Sequence, residues 1–439
     1  MSHNPFRSYH RPSANFFKAG TQLSRMTRRR FCGSLGASGL LSNTSFKPAN
    51  LAALIQAPAE AKDGPHIGNL YPFVQQQADR SRLELSFLDS RFRNLESWQK
   101  TARARVLDHL FYSPPPVAPE PEVIRRTDRG DYLEEYLTFR TTPDLRVPAY
   151  VLVPRKATLP APGVVLLHCH GGFYVWGKEK VVATDNEHPV LAEFKQRLYD
   201  GRSIATELVR RGYVVITIDM FYWGERRMLL DEDPSSYREP RGMTAEEIAA
   251  FNRRSSQSEQ LVARSLMTAG ITWPGVMLWD DLRTLDYLAS RPEVDRRRLG
   301  CVGLSVGGYR SFLLAALDQR IKAAVDVGWM TAFAPAIRRH VLNTVGLAFH
   351  IPGLYRYLDL PDLAALVAPR SLLVINGSKD ALFPPAGVEQ AFRKIEACFR
   401  KASAPDRQRC RLYDAPHQFN LEMQAEAWEW LEAHLARAA

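Results

Sequence analysis

Ser305 stands in the stretch Cys301-Val302-Gly303-Leu304-Ser305-Val306-Gly307-Gly308-Tyr309. A serine hydroxyl is a weak nucleophile at neutral pH and attacks a carbonyl only with a base beside it and an acid behind that base. Glycines two residues to either side allow a strand to turn into a helix so tightly that the hydroxyl is lifted to the edge of a sheet. The helix that follows aims its free N–H groups at developing negative charge. The apolar run Leu299 to Leu304 and the helical pattern Tyr309 to Leu317 predict such a turn here. Two later stretches supply the partners. Asp380 falls just beyond the apolar strand Ser371 to Ile375, and His417 falls just after the last strand, Arg411 to Tyr413. Each has an ordinary reading by itself: Ser-Lys-Asp is turn composition, and His417 could open a helix with Asp414 as its cap. Asp326, one strand earlier, is the rival acid. His340 and His350 lie in an insertion with no strand to position them.

Acyl transfer also places negative charge on the carbonyl oxygen, which needs donors already in position. His168-Cys169-His170-Gly171-Gly172-Phe173 follows an early strand and resembles an HGG-type loop that supplies one N–H. Gly172 is the expected donor, with Gly171 and Phe173 as alternatives, and Val306 supplies the second N–H. His168, Cys169 and His170 also read as metal ligands. No other cluster completes such a site, and on a strand the two histidines would merely share a face. Neither a metal nor a cofactor is expected.

The elements that must hold these residues follow from periodicity. Residues 71 to 112 carry apolar positions at helical spacing (Leu85, Leu88, Phe92, Leu95, Trp98) and end at Ser113-Pro114-Pro115-Pro116. Tyr132 to Arg140 and Val147 to Val153 alternate as paired antiparallel strands do. Short apolar runs then take turns with helical patterns, which predicts a mostly parallel sheet covered on both faces. The chain divides into an export signal and basic tail (1–61), an N-terminal helical extension (62–122) and a catalytic domain (123–439). Insertions near 225–275, with a short helix at 245–255, and near 328–365 fall beyond strand ends, where substrate-covering segments go. Trp176, Tyr222, Trp223, Trp273 and Trp329 are candidates to line a pocket, or to pack in the core.

The formal charge of +11 would ordinarily raise nucleic acid or an anionic membrane as partners. Residues 1–61 hold eight Lys/Arg against Glu60 alone, so +7 sits there and +4 remains for the body, which argues against a nucleic-acid binder. Thr27-Arg28-Arg29-Arg30-Phe31-Cys32, a modest apolar stretch and Ala59-Glu60-Ala61 resemble a twin-arginine export signal, which points to a periplasmic or extracellular protein, with a cytoplasmic one as the alternative. No stretch reaches the roughly 20 apolar residues of a membrane helix. Cys398 and Cys410 could bridge in an oxidising compartment. Oligomeric state is not legible.

With Ser305, Asp380, His417 and the His170-Gly171-Gly172 loop in that order, residues 123 to 437 or so resemble an α/β-hydrolase, and within it the dienelactone hydrolase and acetyl xylan esterase branch. The loop followed by Gly177-Lys178-Glu179, the segment Asp219 to Gly224-Glu225-Arg226, and Gly303-x-Ser305-x-Gly307-Gly308-Tyr309 carry the likeness. It implies a sheet with inserted cap segments and a serine esterase: Ser305 as nucleophile, His417 as base, Asp380 as acid, Gly172 and Val306 as oxyanion hole. The implied substrate is a small or medium carboxylic ester, such as an acetylated carbohydrate. Two positions depart from the pattern. Dienelactone hydrolases use a cysteine where this chain has Ser305, and acetyl xylan esterases often carry Gln where it has Val306. The Ser-x-Gly-Gly-Tyr element also occurs in prolyl oligopeptidase-like peptidases, but about 60 residues before the first strand cannot build their propeller. A peptidase, a lactone hydrolase and a non-catalytic binding member of the fold are the rival readings.

Overall fold

The computed structural model describes residues 64–344 and 346–435. The expected export signal, with Arg28 to Arg30 and Cys32, lies outside the described residues. Two helices open the described chain, α1 (Tyr71–Arg80) and α2 (Leu95–His109). The helical spacing read across Leu85, Leu88 and Phe92 belongs to turns instead. Leu83 takes a positive φ of 43° there, and Trp98 packs at 4.9 Å on Phe87 and donates from Nε1 to the Leu85 carbonyl. Leu85 and Phe92 are thus half-buried from a loop, and Leu88 is exposed. Asn94 then caps α2 by accepting from Ser97 N–H.

Nine strands follow among the described residues: β1 (Glu122–Asp128), β2 (Tyr132–Arg140), β3 (Arg146–Pro154), β4 (Ala161–Leu167), β5 (Val214–Ile218), β6 (Val294–Leu304), β7 (Ile321–Val327), β8 (Ser371–Gly377) and β9 (Gln408–Tyr413). They form one sheet in the order β1-β2-β3-β5-β4-β6-β7-β8-β9. Pairing is antiparallel from β1 to β5 and parallel from β5 to β9. β5 is buried along its whole length and β8 along nearly all of it, which is why neither alternates in sequence. The edges, β1 and β9, are largely exposed and carry arginines, a usual guard against pairing with another chain.

Helices α3 (Pro189–Tyr199), α4 (Ile204–Arg210), α5 (Ala245–Thr268), α6 (Trp273–Ser290), α7 (Val306–Leu317), α8 (Phe333–Ala336), α9 (Val341–Thr344), α10 (Ala364–Val367), α11 (Pro385–Lys401) and α12 (Leu421–Leu435) cover both faces or build the insertions. The first insertion holds α5, a helix of 24 residues rather than the short piece expected. Thr244 and Glu247 close a capping box at its start, and Ile248, Phe251, Asn252 and Ser255 bury one face, so packing helps sustain the helix. Cys398 and Cys410 are free thiols, not a bridge. Cys398 is buried and Cys410 half-buried, and burial pushes the ionisation of each up. Among the described residues no single helix is long and apolar enough to cross a membrane.

Under the first helix after Ser305 lies a buried ion pair. Arg310 on α7 donates from Nε (2.9 Å) and Nη2 (2.5 Å) to the two carboxylate oxygens of Asp281 on α6, with both side chains fully buried. Removing one member strands the other charge, so Arg310→Met should cost about 3–5 kcal/mol. The double variant Arg310→Met/Asp281→Leu should recover most of that loss in denaturant midpoint; equal costs for the single and double variants would contradict the pairing.

Candidate active site

Parallel strands deliver their C-terminal ends to one edge of the sheet, and the candidate residues all leave from that edge. In the order β4, β6, β7, β8, β9, these ends carry the His168–Phe173 loop, Ser305, Gly328, Asp380 and His417. Neighbouring strands lie about 4.8 Å apart, so residues distant in sequence meet within side-chain reach.

Ser305 has φ +61° and ψ −127°, a conformation that L-residues rarely adopt. Its N–H donates to the Val327 carbonyl at 2.7 Å, fixing the turn to β7. A Cβ at Gly307 would lie 2.0 Å from the Leu167 carbonyl oxygen, and one at Gly303 would lie 2.5 Å from that same atom and 2.4 Å from the carbonyl carbon of Gly307. Backbone alone fills this contact, so only glycine fits at either position. Val306 opens α7, and its N–H has no intrahelical acceptor.

Asp380 and His417 come together: His417 Nδ1 lies 2.6 Å from Asp380 Oδ2, which leaves Nε2 for a second partner. Leu382 N–H donates to the other Asp380 oxygen at 3.0 Å and holds the carboxylate. His417 also lies against the end of β7, where a Cβ on Gly328 would be 3.3 Å from its Cε1. Ser305 bonds to the residue just before that glycine. Asp414 instead pairs with Lys379 at the surface.

Asp326, the rival acid, is buried beneath the first turn of α7, with Oδ1 2.4 Å from where a Gly308 Cβ would be. Among the described residues neither of its oxygens has a hydrogen-bond partner. Burial raises its pKa to about 8, so it is mostly a neutral acid at pH 7.

The loop after β4 is more tightly tied than its sequence suggests. His168 is fully buried; its Nε2 accepts from Met220 N–H, so Nδ1 carries the proton and donates to the Cys169 carbonyl. Burial holds it neutral, and it joins the ends of β4 and β5. His170 Nδ1 accepts from Gly172 N–H at 2.9 Å, and its Nε2 therefore donates to Glu259 on α5 at 2.6 Å. Tyr174 OH donates to the same carboxylate oxygen, and Tyr174 N–H to Asn252 of α5. The expected Gly172 donor is thus engaged within the loop, and Phe173 N–H is bonded to the His170 carbonyl. Glu259 and Asn252 were not singled out from the sequence, though with Ser255 they share one helix face at i, i+3 and i+7.

Two of the motifs that carried the resemblance meet in one cluster around the buried Lys178. Lys178 Nζ lies 2.8 Å from Asp219, 2.5 Å from Glu225 and 2.9 Å from Glu179. Asp219 crowds both Gly177 and Gly224, where a Cβ would sit 2.2–2.3 Å from its Oδ1. Of the aromatic candidates, Trp176 lines a cavity of about 240 Å³ with Tyr136, Tyr150 and Arg238. Tyr222, Trp223 and Trp273 pack together with Tyr174 in the core, and Trp329 packs against Phe349 and Phe383, the last of which neighbours His417. Among the described residues no group of three or more His, Cys, Asp or Glu could hold a metal.

A mostly parallel sheet with helices on both faces, a strand-to-helix turn at Ser305 and a paired acid and histidine after the last two strands define an α/β-hydrolase. The chain belongs to the Abhydrolase family, whose model matches residues 45–439. It is 28% identical over 285 residues to YtaP of Bacillus subtilis (strain 168), a candidate hydrolase, covering 65% of this chain and 82% of that one. Among solved structures it is similar to a candidate acetyl xylan esterase from Bacteroides fragilis NCTC 9343 (TM-score 0.61, 19% identity, 81% of this chain and 84% of that one). It is also similar to a glucuronoyl esterase from Solibacter usitatus (TM-score 0.52, 16% identity, 77% and 93%). At these identities the two structures speak to the fold.

Asp326 gives this region a pH signature. Because its folded pKa (about 8) exceeds its unfolded value (3.8), the folded state holds the extra proton, and stability falls as pH rises from about 4 to about 8. Asp326→Asn should therefore melt higher than the parent by a margin that grows across that window and is constant above it. A margin independent of pH would contradict the buried, unpaired carboxyl.

Proposed function

We propose that this hydrolase is a serine-dependent carboxylic ester hydrolase. The observation that carries this reading is the 2.6 Å contact of His417 with Asp380, on strand ends beside the strained turn that presents Ser305. With Nδ1 committed to Asp380, Nε2 of His417 takes the proton from the Ser305 hydroxyl as its oxygen bonds to the ester carbonyl carbon. The tetrahedral intermediate collapses, the C–O bond to the alcohol breaks, and His417 returns the proton to the leaving alkoxide. Water then loses a proton to His417, attacks the acyl-serine, and the acid leaves as Ser305 regains its hydrogen. Asp380 steadies the imidazolium in both halves.

The substrate we infer is a small or medium ester, with acetylated carbohydrates the first class to examine. The candidate acetyl xylan esterase among the structural neighbours motivates that choice. The aromatic wall of Trp329, Phe349 and Phe383 beside His417 is consistent with a limited acyl space. Against the peptidase reading, the described residues ahead of β1 form α1, α2 and connecting turns, not a propeller.

The test is hydrolysis of 4-nitrophenyl acetate, butyrate and octanoate by the parent, Ser305→Ala, Asp380→Asn and Asp326→Asn. Ser305→Ala should lose activity to background and Asp380→Asn should lose on the order of 10³–10⁴ in kcat. Asp326→Asn should stay within about threefold of the parent, as expected for a group outside the reacting set. Acetate turning over fastest supports the small acyl group. Parent activity equal to that of Ser305→Ala would overturn the proposal, and loss in Asp326→Asn with retention in Asp380→Asn would reassign the acid.

A further inference from the structure

Lys180 is fully buried, and among the described residues no carboxylate pairs with it. Its Nζ donates instead to two backbone carbonyls of the loop after β4, Cys169 O at 2.9 Å and His170 O at 3.0 Å. The rings of Phe173 and Phe194, stacked at 4.7 Å, wall it in at 6.0 and 5.5 Å. An ammonium without a counter-ion is costly to bury, and nothing in the core packing demands one here.

What the charge does follows from peptide geometry. The only cis bonds among the described residues precede Pro160 and Pro369, so the His170–Gly171 peptide is trans, and its N–H points opposite to its carbonyl. With the His170 carbonyl fixed on Lys180, the Gly171 N–H must point away from it. Gly172 N–H is spent on His170 Nδ1 and Phe173 N–H on the His170 carbonyl, whereas among the described residues Gly171 N–H finds no acceptor. Gly171 has φ +62°, and a Cβ there would strike Phe194 at 2.6 Å, so the peptide is held from both sides. The loop begins at the same Leu167 and His168 carbonyls that pack on Gly307 beside Ser305.

We propose that Lys180 is a positioning residue that turns the Gly171 N–H outward as the oxyanion donor and, by its charge on the carbonyl of the same peptide, strengthens that donor. This deepens the serine esterase reading and rests on it. The donor set is then Gly171 with Val306, not Gly172. A polarised peptide donates more strongly in a low-dielectric site, and the gain is largest when the substrate oxygen is most negative. The lysine therefore acts on the transition state while touching no substrate.

Several groups face Lys180. His168 and Cys169 come from the end of β4, Glu179 from its own turn, Asp219 from the end of β5, and Tyr199 from α3 beyond Cys169. Asp219, near 6, and His168, well below its usual value, both change state below the range that matters, and Tyr199 is pushed well above its usual value. Burial lowers Lys180 itself to about 8. Its charge is lost as pH rises through that value, so kcat should fall on an alkaline limb near pH 8. Stability should move the other way: between about 8 and 10.5 the unfolded chain holds more protons than the folded one, so this group favours folding increasingly with pH.

The experiment is the pH dependence of kcat and KM on 4-nitrophenyl acetate from pH 6 to 10 for the parent, Lys180→Met and Lys180→Arg, with melting temperatures at each pH and Ser305→Ala as blank. Lys180→Met should lose on the order of ten- to a hundredfold in kcat, with KM changed less than about threefold, and should lack the alkaline limb. Lys180→Arg, charged throughout, should move that limb above pH 10. If Lys180→Met does not fold, the parent decides: a limb near pH 8 without loss of melting temperature supports the proposal, and kcat level to pH 10 overturns it. Lys180→Met matching the parent while Ser305→Ala is dead overturns the lysine's role and leaves the esterase standing. A parent that cleaves no ester above the Ser305→Ala blank overturns both.

Discussion

Everything at the candidate site depends on one backbone contact: the carbonyl of Leu167, at the end of β4, lies where a side chain at Gly303 or Gly307 would have to be. That approach holds the strand before Ser305, the helix after it and the loop that follows β4 in fixed relation. It leaves Ser305 in a conformation that costs of order 1–3 kcal/mol and persists only because its surroundings over-determine it. The N–H of Ser305 on the Val327 carbonyl, and Gly328 beside His417, extend the same rigidity across the next strand.

Around that contact the fold places buried charge selectively. Arg310 with Asp281 and Lys178 with its three carboxylates are compensated pairs that lock helix to helix and loop to loop. Asp326 and Lys180 are buried without an ion-pair partner among the described residues, and both lie near the turn at Ser305 or the loop packed against it. One solves its burial by remaining protonated and the other by binding carbonyls. The long helix α5 joins this scheme from outside the sheet. Glu259 and Asn252 fasten it to His170 and Tyr174, so the inserted helix is also part of what shapes the loop.

The parallel sheet and its helices were legible because continuous apolar runs alternating with 3.6-residue periodicity have few other solutions. The placement of Ser305, Asp380 and His417 on one edge of the sheet was legible because each follows a strand. Leu85 to Phe92 misled, since apolar spacing cannot distinguish a helix from a loop that packs Phe87 on Trp98. The length of α5 was hidden because beyond Ser255 it buries only Ala263, too little for a periodic hydrophobic signal. The roles within His168-Cys169-His170-Gly171-Gly172 were also beyond sequence. Which N–H is free depends on a ring nitrogen and on an ammonium ten residues downstream of His170.

The central claim is that Ser305 is the nucleophile. Treating the folded protein with a fluorophosphonate, then mapping the adduct by mass spectrometry of peptides, tests it without any assumption about substrate. The account predicts one adduct, on Ser305, abolished by Ser305→Ala and strongly slowed by His417→Ala. No adduct, or one on another residue that survives Ser305→Ala, would contradict it.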